Sequence, residues 1–76
     1  MIRQTKVIIN NTVYGMKVRE CKKLLEIAKK QVTHGIYAIE KDGVCELKNE
    51  TYETDNELFG AIGNYKNQGF VVYYNN

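Results

Sequence analysis

Cys21, His34 and Cys45 are the residues of this 76-residue chain that could build a thiol–imidazole nucleophile, and there is no serine to offer a hydroxyl alternative. Such chemistry needs a nucleophile, a base and a third group that orients the base. His34, the single histidine, falls in the turn expected after the first helix, where a solvated or capping role is the ordinary one. No neighbouring residue in the sequence activates either thiol, so no catalytic residue is expected. One histidine and two distant cysteines also lack metal-ligand spacing, so neither a metal nor a cofactor is expected. Glu50, Glu53, Asp55 and Glu57 could serve acid–base chemistry or hold a divalent cation. However, Thr54 and Glu57 spell a capping box, and Asp55 suits the positive end of a helix, so a helix start accounts for this cluster.

Binding residues are better represented. Residues 1–30 carry eight basic side chains against Glu20 and Glu26, a net +6, whereas residues 31–76 carry three against seven acids, a net −4. Six of the basic groups fall on the first helix. There Arg19, Lys23 and Lys30 share an outward face with Lys22 and Lys29 on its flank, a stripe that could track phosphates or an acidic protein surface. Glu26 sits within that stripe and can pair with Lys30. Ile27 lies off the apolar face and is expected to meet the second helix or a partner. Six tyrosines are many for this length, and Tyr73-Tyr74 near the terminus could form an interface patch. They lack the basic and glycine frame of an RNA-stacking platform. Gly60-Ala61-Ile62-Gly63 spells the GxxG of a nucleic-acid clamp, but the capping box and apolar spacing place it inside a helix.

The elements that must position these residues follow from spacing. A helix from Lys17 to Val32 puts Val18, Cys21, Leu25, Ala28 and Val32 on one face, and Lys29 and Lys30 suit its negative end. A second helix from about Asp55 carries Leu58, Phe59, Ile62 and Tyr65. Its Gly60 and Gly63 each cost roughly 1 kcal/mol relative to alanine, and close approach to the sheet or to a neighbouring backbone is the expected reason for them. Each half of the chain reads as a strand pair, a helix and a glycine-led strand: Lys6–Ile9, Thr12–Tyr14 and Gly35–Ile39, then Val44–Leu47, Thr51-Tyr52 and Gly69–Tyr73. A three-residue loop, Lys41-Asp42-Gly43, is expected to set Ile39 against Cys45 and to place Tyr37, Ile39, Cys45 and Leu47 on one covered face. Cys21 and Cys45 then read as buried thiols without a disulfide. Asn10-Asn11-Thr12 and Asn49-Glu50-Thr51 read as turns.

With no linker or low-complexity run, residues 1–76 are expected to form a single α+β domain. Two helices should pack on one face of a mainly antiparallel sheet, in a ferredoxin-like or tandem ββαβ arrangement. A chain this small has little volume for a deep catalytic cleft, which favours presenting a surface. No stretch approaches the roughly 20 apolar residues of a membrane span, and the N-terminus has no apolar secretion core, so a cytoplasmic protein is expected.

Lys17–Leu25, the Gly35–Gly43 hairpin and Tyr65–Phe70 resemble, in overall style, small uncharacterised proteins of phages and mobile elements of Gram-positive bacteria. The resemblance implies an accessory role, such as blocking a host factor. The expected function is therefore a non-catalytic protein-binding module. Its candidate residues are Arg19, Lys22, Lys23, Ile27, Lys30, Tyr73 and Tyr74. A small nucleic-acid-binding domain using the first helix is the alternative, and homodimerisation is compatible with either.

Overall fold

The computed structural model describes residues 4–76; Arg3, counted among the basic groups above, lies outside them. The chain runs β1 (Gln4–Ile9), β2 (Thr12–Lys17), α1 (Val18–Gln31), β3 (Gly35–Lys41), β4 (Val44–Thr51), α2 (Asp55–Asn67) and β5 (Val71–Asn75). This is an α+β fold in which two helices pack on one five-stranded mixed sheet, ordered β2-β1-β4-β3-β5. All neighbouring strands are antiparallel except β1 and β4.

Both hairpins close with two residues of positive φ, Asn10-Asn11 (50° and 66°) and Asp42-Gly43 (53° and 77°). Paired left-handed residues give a turn whose twist matches that of the strands. The second hairpin therefore sets Lys41 against Val44, Glu40 against Cys45 and Ile39 against Glu46. This replaces the expected three-residue loop, one residue out of register. Asn49-Glu50-Thr51 likewise forms the end of the single long strand β4 and not a turn between two strands.

The expectation of one covered face failed for a related reason. Val7, Cys21, Ala28, Val32, Tyr37, Ala38 and Cys45 form one cluster, in which α1 meets the sheet. Ile36, Ile39, Leu58 and Ile62 form a second, in which α2 meets the opposite face. Strand directions require this. The β2–α1–β3 and β4–α2–β5 connections both join parallel strands and step the same way across the sheet, but their strands run in opposite directions. Two right-handed crossovers of that kind must lie on opposite faces. Strand β3, flanked by β4 and β5 and covered by a helix on each face, is consequently buried from Gly35 through Ile39. A bulge at Tyr37 turns Tyr37 and Ala38 towards α1 while Ile36 and Ile39 face α2.

Helix α2 has specified ends. The Thr54 hydroxyl accepts from the Glu57 amide at 3.2 Å and donates to the Glu57 carboxylate at 3.2 Å. At the far end Gly69, at φ 92°, lets the Phe70 amide reach Tyr65 O and the Gly69 amide reach Lys66 O, with the Tyr65 and Phe70 rings packed edge-on at 5.9 Å. Gly60 and Gly63 make no close approach; a Cβ at either would meet open space. The glycine that does permit close approach is Gly35, where a Cβ would collide with the main chain of Glu50 and Thr51.

Candidate binding surfaces

Helix α1 buries Cys21 and Ala28, with Leu25 half-buried beside them, and so turns Arg19, Lys22, Lys23, Lys29 and Lys30 into solvent. Among the described residues none of these five cations lies within ion-pair distance of a carboxylate; the pairs present are His34–Asp55 and Lys48–Glu46. The anticipated Glu26–Lys30 pair is not formed. Ile27 is 53% exposed on the outer side of α1, and α2 lies across the sheet, so the second helix does not cover it.

The two terminal tyrosines point to opposite faces, as successive strand residues must. Tyr73 packs on the α1 cluster with its ring 6.1 Å from that of Tyr37. Tyr74 stands on the α2 side, edge-on to Phe59 at 6.1 Å. They do not form a single patch. The structure instead pairs Tyr74 with Phe59, 39% and 45% exposed. Phe59, expected in the apolar stripe of α2 with Leu58, Ile62 and Tyr65, stands about 100° round the helix from Leu58, at the border of that stripe, and is left partly exposed.

The residues with chemical potential are each engaged elsewhere. His34 Nδ1 lies 2.5 Å from Tyr52 O and Nε2 lies 2.8 Å from Asp55 Oδ1, so the ring ties the start of β3 to the entry of α2 and makes no pair with a thiol. The Tyr52 carbonyl, and then the Asp55 carboxylate, raise its pKa above 6.5. Cys21 and Cys45 are free and buried. Burial, reinforced by the neighbouring Cys21 thiol, pushes the Cys45 thiol up to about 12, away from nucleophilic reactivity. Glu50 accepts the Tyr52 hydroxyl at 3.1 Å and the Tyr65 hydroxyl at 2.7 Å. Burial first, and then Glu50, hold the Tyr65 phenol strongly protonated. The four carboxylates near α2 thus divide between a tyrosine clamp (Glu50), the His34 bridge (Asp55), the helix cap (Glu57) and solvent (Glu53). No group of three or more metal-ligating side chains occurs among the described residues. No helix of the described residues is long and apolar enough to cross a membrane.

No family model, curated protein or solved structure matches this chain.

Proposed function

We propose that this protein is a non-catalytic binding module that presents the outer face of α1 to an acidic protein surface, as an accessory or inhibitor of the kind phages and mobile elements encode. The observation that carries the reading is the set of five exposed α1 cations without a carboxylate partner among the described residues. Five like charges on one short helix repel one another, and a docked acidic surface relieves that repulsion. Ile27 supplies an apolar anchor beside them, and Glu20 and Glu26 interrupt the stripe. An apolar centre within a charged rim suits a protein interface. The same interruptions oppose the continuous phosphate tracking of a nucleic-acid groove.

The unpaired cations themselves favour a second reading, a nucleic-acid-binding domain. A few phosphate contacts alone give dissociation constants of about 10⁻⁴–10⁻⁶ M at physiological salt. Immobilised protein should retain one host protein stoichiometrically, and both Ile27→Asp and the Lys23→Glu/Lys30→Glu pair should abolish that retention. Fluorescence anisotropy with random single- and double-stranded oligonucleotides should show no submicromolar binding. Submicromolar, steeply salt-dependent binding that collapses in an Arg19/Lys23/Lys30 triple alanine would instead establish the nucleic-acid reading.

A further inference from the structure

We propose that β5 is a self-association edge, pairing antiparallel with β5 of a second copy to make one continuous ten-stranded sheet. Strand β5 ends the sheet order, so the outward N–H and C=O groups of Val71–Asn75 have no strand partner among the described residues. Native proteins protect such edges with lysine, proline, a bulge or a covering segment. The strand Val-Val-Tyr-Tyr-Asn contains neither residue, and the sheet's irregularity falls in β3 instead. The edge is also held in place: the Asn75 side-chain amide donates to Lys29 O and Val32 O, both at 2.8 Å.

A second copy fits this edge by self-complementarity. An antiparallel pair centred on Tyr73 sets Val72 of each chain opposite Tyr74 of the other, a β-branched–aromatic pairing that suits a pleated surface. On the α2 side the exposed Phe59–Tyr74 stack of one copy then lies beside that of the other. On the α1 side the exposed Val71 and half-buried Tyr73 line the same junction. No charged side chain occurs from Phe70 to Asn76, so the two pairing strands carry no like charges of their own and offer a different partner no charge to select it. A strand alone covers less than the roughly 1,200–2,000 Å² of a stable interface, which makes the aromatic walls beside it a necessary part of the contact. The other edge, β2, is the poorer candidate, because Gly15 interrupts it and Lys17 ends it. Pairing through β5 is an isologous contact that closes at two copies and leaves the outward face of α1 free.

Sedimentation equilibrium on the full chain, from micromolar to about a hundredfold higher concentration, tests this. The expected result is a monomer–dimer equilibrium that Val71→Lys and Tyr74→Lys each weaken at least tenfold and that Val13→Lys on β2 leaves unchanged. Heat melts identify any variant that has lost its fold. Hydrogen exchange on the wild-type chain gives an independent reading: alternate β5 amides should become protected as concentration rises. A chain that stays monomeric throughout, β5 amides indifferent to concentration, a dimer lost through Val13→Lys in place of the β5 variants, or open-ended growth beyond two copies would each overturn the proposal.

Discussion

His34 shows how a residue of ordinary type acquires its role from distant neighbours. Its ring bridges Tyr52 and Asp55, and its main-chain carbonyl accepts the Tyr52 amide at 2.9 Å. The imidazolium form can donate to the Tyr52 carbonyl and the Asp55 carboxylate at once, whereas the neutral ring can donate to only one. Because the folded pKa is raised above 6.5, protonated His34 stabilises the fold fully below about pH 6.5, and that contribution fades as pH rises through the higher folded value. We expect the melting-temperature gap between wild type and His34→Gln to be widest near pH 6 and to narrow towards pH 8. A gap that stays constant or widens with pH would show that the bridge is not proton-linked. The cysteines make the opposite case. Their burial was legible from helix and strand position, whereas the pairing of His34 with residues 18 and 21 positions away was not. Thiol titration of the native protein should label Cys45 far more slowly than the denatured chain, and full labelling after denaturation without reductant is expected because no disulfide forms.

The elements differ in how much of them local pattern specifies. Helix α1 spans close to where apolar spacing places it, and α2 begins where its capping box places it, because stripes and caps act within a few residues. In the central hairpin the Asp42-Gly43 turn prevails over a register that would gather burial on one face. With β3 covered on both sides, moving the register by one residue leaves apolar side chains buried either way, so the turn decides. The glycines need the same separation of causes. Gly60 and Gly63 sit in an ordinary helix with open space at their Cβ positions, so Gly60→Ala and Gly63→Ala should each stabilise the protein by about 0.5–1 kcal/mol. Gly35→Ala must displace the β4 main chain at Glu50 and should destabilise it by more than either gains. Urea melts of the three variants give the comparison, and destabilisation by Gly60→Ala would mean that its helical surface is covered in solution.

At the scale of the whole molecule the α+β class could be read from the sequence, and so could the order of elements apart from the second strand pair, which is the single strand β4, but the layering could not. Two crossovers that step the same way split the apolar residues into two clusters back to back on β3, and the pairing of strands far apart in sequence decides that division. The basic face of α1 was legible because it is a local periodicity. The β5 edge was not, because whether an apolar strand lies inside or at the border depends on the whole sheet order. That border strand still contributes to both clusters: Tyr73 packs against the α1 side and Val72 against the α2 side. Without it, β3 becomes the border, and Ile36 and Ile39, now almost wholly buried, lose the neighbours that pair with them. A chain of this size buries only about 60% of its unfolded surface and has few kcal/mol in reserve, so one lost strand exceeds the margin. Deleting Val71–Asn76 should therefore abolish cooperative unfolding, read as a thermal melt by circular dichroism. A truncated protein that still melts sharply, within a few degrees of the full chain, would show that the two clusters sustain the fold without their shared border.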